Sequence, residues 1–424
     1  VFRGNLKGYD ATYIIPKKIL RGIGLRIMVN DTNIASICWN AFFWFNFTNV
    51  FVATALESVN MLQMAAVGTF LDLFTMMPCV GYLVVAMSKA YKIKRYRFVY
   101  ENLMSELREM WPSGSITEEQ FNIVNEAQRR LRFVVKVYFI CNITLGSIFT
   151  VPPFISWIKH RAGFNIPLLL PFFYWLPYDP FIGNRFEITL ILQACHCFLA
   201  AFFMLSGDLL FCIFLSHITT QFSLLANRIN KLILVPIDNQ LIESYPLGVY
   251  SKLHDENEFD NEMNEEEKEK KLNEELIAII HRHRALIRLS SDVENMYTFS
   301  LLVNFINSSI IICFCLFCCV FVEKWNEFLY KTFCLTAILQ IWMLCWYGQK
   351  LLDTSTGVAE ALFNCGWYLA SNKIKKSILI MIHRSQKRVY VTTYGFSVIS
   401  LESYATILKT SWSYFTLLIN MYKE

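Results

Sequence analysis

Six polar side chains near the C-terminal end, Glu402, Thr406, Lys409, Ser413, Thr416 and Asn420, recur at spacings of 4, 3, 4, 3 and 4. At about 100° per residue they fall on one helical stripe roughly 80° wide. The stripe runs through "SYATILKTSWSYFTLLINM", which is otherwise apolar and long enough to cross a bilayer. Hydrocarbon makes unpaired polar groups costly, so this face must meet something other than lipid. The opposite face carries Tyr404, Leu408, Phe415, Leu418, Ile419 and Tyr422, and Leu417 and Met421 border the stripe near its far end. Two arrangements satisfy the pattern. One is a polar seam buried against other helices. The other is one wall of a water-filled path, with Leu417 and Met421 as an apolar constriction. A single helix cannot enclose a path, so the second arrangement needs several copies around an axis. Periodicity leaves both open.

The elements that must position this stripe are membrane spans. The chain of 424 residues is 55% hydrophobic and 16% aromatic but only 17% charged, with a mean hydropathy of +0.37. Soluble domains carry about 25% charged residues, so the composition defines a polytopic membrane protein. Apolar runs of about 20 residues predict spans near 33–54, 66–87, 133–157, 186–217, 299–322, 328–349 and 396–421. The fourth exceeds bilayer thickness and is expected to project beyond it. Lys and Arg number 31 on one set of alternating segments and 6 on the other. That bias predicts a cytoplasmic N-terminus and an extracellular C-terminus. The basic start of the chain has no apolar core segment or small-residue cleavage site and is not expected to be a signal peptide.

The expected organisation is a cytoplasmic arm (1–32), spans one to four (33–217), a long cytoplasmic loop (218–298), spans five and six (299–349), a cytoplasmic helical region (350–395) and the last span with its tail (396–424). Within the long loop, "HDENEFDNEMNEEEKEKK" (254–271) predicts disorder at its start. Leu272, Leu276, Ile279, Ile280, Leu286 and Ile287 then predict an amphipathic helix running unbroken into span five. The third outside loop, with "PFFYWLPYDPF", is dense in proline and aromatics and fits either an interfacial belt or a compact cap.

Enzyme signatures are missing: the sequence has no phosphate-cradling glycine loop, no His-Glu-x-x-His and no Gly-x-Ser-x-Gly. Twelve of its thirteen cysteines lie in apolar runs at spacings unlike a zinc site, so neither a metal nor another cofactor is expected. "HRHR" at 281–284 reads as a cytoplasmic solvated or interfacial face. Among ionisable residues inside spans, Asp72 is a candidate for a polar entrance, Asp208 for bonds to the cytoplasmic bundle, and Lys136 for snorkelling.

Seven spans, an inside N-terminus, the compact Pro/aromatic loop and the ending "TYGFSVISLESYATILKTSWSYFTLLINM" resemble the insect odorant receptor family. Related gustatory receptors carry Thr-Tyr and Gln-Phe where this chain has Ser413-Tyr414 and Asn420-Met421, and the closing helix differs from that of the shared olfactory co-receptor. The resemblance therefore implies a ligand-tuned subunit of an all-α membrane protein in the plasma membrane of olfactory sensory neurons. It implies a tetrameric, non-selective cation channel assembled with co-receptor subunits, gated by a small hydrophobic volatile ligand and in contact with membrane lipid but not nucleic acid. By position, the last helix would line the pore through Ser413, Thr416, Leu417, Asn420 and Met421, with Leu417 and Met421 as the gate. Stretches at 206–226, 273–292, 349–369 and 374–389 would form the cytoplasmic anchor of the assembly, and Gly395 suits a tight turn before the last span. Ligand would bind among Phe70, Phe74, Ile143, Gly146, Thr150, His196, Ala200, Asn304 and Ser308, an apolar set with few polar groups. The rival assignments are a gustatory receptor channel, a seven-helix receptor coupled to G proteins, and a secondary transporter, which the missing internal repeat disfavours.

Overall fold

The computed structural model describes residues 2–4, 6–28, 33–67, 70–182, 184–233, 265–321 and 324–423. Most of the expected disorder in the acidic insert falls at 254–264, outside the described residues. Eleven helices account for nearly all the regular structure among them. They are α1 (Leu6–Thr12), α2 (Ile14–Gly22), α3 (Asn33–Val67), α4 (Phe70–Arg95), α5 (Arg97–Glu109), α6 (Glu118–Arg161), α7 (Arg185–Asn230), α8 (Glu265–Phe321), α9 (Lys324–Asn364), α10 (Asn372–Gln386) and α11 (Leu401–Lys423). The exception to an all-helical chain is a two-stranded antiparallel ribbon pairing β1 (Phe2–Gly4) with β2 (Gly114–Ile116).

Six helices among the described residues are long and apolar enough to cross a membrane: α3, α4, α6, α7, α8 and α9. The 23-residue α11 is long enough, but its polar stripe lowers its hydropathy below theirs. Several helices far outrun a bilayer. At about 1.5 Å per residue, the 57 residues of α8 span roughly 85 Å, so the amphipathic segment after the acidic insert and span five are one continuous rod. Leu276, Ile279 and Leu286 are buried on it. Helix α6 starts with a capping box between Thr117 and Gln120, which satisfies two of the N–H groups left open at a helix start.

Helix α7 is the axle of the bundle. Every residue from 203 to 222 is buried, as expected of a helix that is apolar all round. The N-terminal arm docks on its C-terminal half. Tyr9 donates to the Met104 carbonyl (2.8 Å), the Thr12 hydroxyl lies 3.1 Å from His217 Nε2, and the Tyr9 and Trp111 rings pack on the His217 imidazole at 4.5 and 4.9 Å. Burial raises the Tyr9 and Tyr13 phenols above their ordinary range, so both stay neutral donors.

The centre of the bundle holds a charge pair. Lys89 of α4 donates to Asp208 of α7 at 2.6 Å, with both side chains nearly inaccessible. Asp208 also accepts from Tyr138 of α6 (2.8 Å) and Gln340 of α9 (2.8 Å), while Lys89 donates to Asn304 of α8 (3.1 Å). Five helices meet at one buried network, in which Asn304 Nδ2 is left without a hydrogen-bond partner. Its lysine corrects the span boundary read from the sequence, which ended span two at 87 and counted Lys89 with the cytoplasmic loop. Asp208→Ala, which strands a buried ammonium, is expected to destabilise the fold by about 3–5 kcal/mol. The double change Lys89→Met/Asp208→Leu is expected to recover most of that loss. Thermal unfolding of the purified chain in detergent reads both.

Between α10 and α11 the chain reverses in a short hairpin. Thr393 N–H donates to the Ser397 carbonyl (2.8 Å) and Ile399 N–H to the Val391 carbonyl (2.9 Å), with Gly395 at φ +80° in the turn. That left-handed conformation is open to glycine without a Cβ penalty.

A candidate ligand cavity and an exposed polar stripe

A narrow apolar cavity of about 50 Å³ lies between α4, α6, α7 and α9. Its walls are Cys79, Tyr82 and Leu83 from α4; Asn142, Leu145, Gly146 and Phe149 from α6; His196, Cys197, Ala200 and Ala201 from α7; and Phe333 from α9. The loop after α6 closes it with Phe172 and Tyr174. This loop is the Pro/aromatic segment of the sequence, and it is firmly held. Gln193 brackets the Phe172 backbone, accepting from its N–H and donating to its carbonyl, both at 3.1 Å. Asn60 donates to the Phe173 carbonyl (3.0 Å) and Trp175 N–H to the Leu56 carbonyl (3.2 Å), which ties the loop to α3. Phe172 stacks on Phe149 at 5.3 Å and 15°, and Phe333 meets Phe149 and Tyr82 edge-on. The loop is a cap over a cavity, and its aromatics form part of the lining.

Two features shape the cavity. Gly146 lets α7 approach α6 closely beside the cavity, since a Cβ there would already stand 3.2 Å from the Phe198 ring and 3.6 Å from Cys197 Sγ. The polar groups at the margin satisfy one another: Tyr82 donates to Asn142 Oδ1 (3.0 Å) and Asn142 Nδ2 to the Tyr138 carbonyl (3.0 Å). Almost nothing around the void needs water, so an apolar occupant loses little on entering.

Of the nine residues read from sequence as ligand-binding, the cavity takes Gly146, His196 and Ala200. Thr150 is buried and spends its hydroxyl on the Gly146 carbonyl (2.9 Å), while Ile143 is half-buried off the wall. Asn304 belongs to the Lys89 network, and Ser308 is buried on α8. Phe74 packs between Phe314 and Phe317, at 5.0 and 5.1 Å. The side chains of Phe70 and Asp72 lie outside the described residues. Sequence reasoning missed Tyr82, Asn142, Phe149, Phe172, Tyr174 and Phe333. The loop pair was legible as a possible cap, but nothing in the sequence showed that its rings point inward.

The second feature lies on α11. Tyr404, Ile407, Leu408, Ser411, Phe415, Leu418 and Ile419 turn toward α8 and α9 and are buried or half-buried. Ser411 shares a 3.1 Å hydrogen bond with Ser309 of α8, and Phe415 packs with Cys313 and Phe317. Glu402, Thr406, Lys409, Ser413, Thr416 and Asn420 all lie on the exposed side, beside Leu417 and Met421 at 54% and 66% exposure. Among the described residues, nothing covers the polar stripe.

A bundle of long apolar helices around a capped apolar cavity defines a multi-pass membrane protein built to receive a small molecule. The "7tm Odorant receptor" family model matches residues 69–412, and the chain belongs to that family. Among Drosophila melanogaster proteins it is 24% identical to Odorant receptor 85b over 95% of this chain and 96% of that one. It is 26% identical to Putative odorant receptor 85d over 83% and 79% of the two chains. In structure it is similar to the insect olfactory receptor OR5 from Machilis hrabei, with a TM-score of 0.79 at 15% identity, covering 98% of this chain and 99% of that one. The OR5 structure in complex with eugenol gives 0.77, over 97% and 99%.

Proposed function

We propose that this chain is a ligand-tuned subunit of an odour-gated, non-selective cation channel, assembled as a tetramer with the shared olfactory co-receptor in the plasma membrane of olfactory sensory neurons. The observation that carries this is the uncovered face of α11. Six polar side chains and two large apolar ones project from a membrane-length helix with nothing among the described residues covering them. Four such helices around an axis give the stripe water and leave Leu417 and Met421 as the constriction. The N-terminus lies inside and the C-terminus outside, following the Lys/Arg bias. Ligand occupies the capped cavity. Its floor residues Tyr82 and Asn142 adjoin the Asp208 network, whose Asn304 lies on α8 near Ser309, the hydrogen-bond partner of α11. Ligand that favours one cavity shape shifts the population between two arrangements of these packed helices.

Odour-evoked currents in cells expressing this chain, the co-receptor, or both test the assignment. Currents are expected only with both present. Equal currents from this chain alone would favour a self-sufficient channel of the gustatory kind, and currents that need G proteins would favour a metabotropic receptor.

A further inference from the structure

Around the cavity, His196 carries a buried polar atom left unspent. It is buried in the α7 wall, and its Nδ1 is sealed from solvent without a hydrogen-bond partner. Tyr82, Asn142 and Gln193 nearby all have partners within the protein. An unpaired nitrogen at such depth is costly unless something supplies the missing bond. The position of His196 shows where that partner can come from. Together with Tyr174, whose ring centroid lies 6.1 Å away, it lines both the inner cavity and a larger outer one of about 470 Å³ between α3, α7 and the cap. It therefore stands at the partition between the two, in a mostly apolar inner lining whose Tyr82 and Asn142 already bond to each other. Glu57 of α3 is a second buried group with an unpaired oxygen, within electrostatic reach of Tyr174, Cys79 and Cys197. It lines neither cavity, so a ligand in the chamber meets His196 and not Glu57.

We propose that His196 is the specificity anchor of the ligand site and that the site takes an alcohol, with its apolar body in the inner cavity and a terminal hydroxyl on the imidazole. This rests on the reading of the cavity as the ligand site. A neutral imidazole offers one N–H and one bare nitrogen. A hydroxyl both donates and accepts, so it matches whichever nitrogen faces the chamber. An ether or ketone matches only the N–H, and an alkane matches neither. The anchor sits at the partition, so a primary alcohol fits better than one with its hydroxyl in mid-chain.

The probes are 1-alkanols of four to ten carbons, their methyl ethers, and alkanes of equal heavy-atom count. Dose–response currents are measured in cells that also express the co-receptor, and thermal shifts on the purified chain. His196→Phe keeps a ring of similar size and removes both nitrogens. It is expected to weaken the best 1-alkanol roughly tenfold while leaving the ethers and alkanes within about twofold. His196→Gln, which restores a donor and an acceptor, is expected to recover most of the loss, and Glu57→Gln to change it by less than about twofold. Surface labelling checks that each variant is delivered. The anchor is overturned if His196→Phe shifts alkanols and alkanes equally, or if alkanols neither open the channel nor shift the purified chain while other odours do. A 1-octanol thermal shift that His196→Phe removes, in a chain that no odour opens, would keep the anchor and refute the channel. Neither shift nor current would refute the anchor.

Discussion

A Gly146→Phe receptor should reach the cell surface and need roughly five to a hundred times more of every odour that opens the unmodified channel. The argument is steric. Gly146 forms part of the α6 wall of the cavity, and the first carbon added there already stands 3.2 Å from the Phe198 ring. The remaining atoms of a phenylalanine must displace the Phe198 ring or enter the void beside it, and either change reshapes the cavity. Overfilling a packed site costs about 1–3 kcal/mol, which moves half-activation by roughly five- to a hundredfold. Thr144→Phe adds the same ring to the exposed side of α6 and should leave sensitivity unchanged. Unaltered half-activation in Gly146→Phe, with surface expression matched, would place the ligand elsewhere.

The contrast between Gly146 and its companions shows which parts of this molecule the sequence discloses. Periodicity along a single helix is local information, and it located the two-sided α11 without help from the rest of the chain. The tight turn at Gly395 was legible for the same reason. A cavity is different, because it is enclosed by faces of helices far apart in sequence and no spacing rule records which faces meet. Sequence reasoning takes Phe74 and passes over Phe149, yet the first packs against Phe314 and Phe317 and the second lines the void. Asn304 looked like a polar anchor for ligand, but a lysine 215 residues away holds it. That lysine was itself misplaced, because counting basic residues by loop cannot detect a carboxylate waiting across the bundle. His196 emerged from both approaches, but only the structure shows that its nitrogen has no partner.

The uncovered face of α11 leads to the second large effect. Leu417→Ser/Met421→Ser should conduct without odour, because the two side chains it replaces are the large apolar groups beside the stripe and both project away from the subunit. In a tetramer shared with the co-receptor, every copy of this chain carries both changes, so its share of the apolar constriction becomes hydroxyls over one helical turn. An apolar constriction closes by excluding water rather than by plugging the path, and hydroxyls remove that exclusion with little change in backbone packing. A shift of about 1.4 kcal/mol in the closed–open balance raises a small resting open fraction tenfold, and a doubly polar ring should exceed that. Phe415→Ala is the counterpart on the inward face. Phe415 is buried against Cys313 and Phe317, so its truncation should cost about 3–5 kcal/mol of stability and reduce surface expression without raising resting current per channel. Asn420→Ala removes a polar group from the stripe beside the ring and should alter the preference among permeant cations more than the leak. The measurement is resting current normalised to surface channel number, in cells also expressing the co-receptor. Resting and odour-evoked currents identical to the parent in the double serine variant would remove Leu417 and Met421 from the gate and leave the stripe as a seam between subunits.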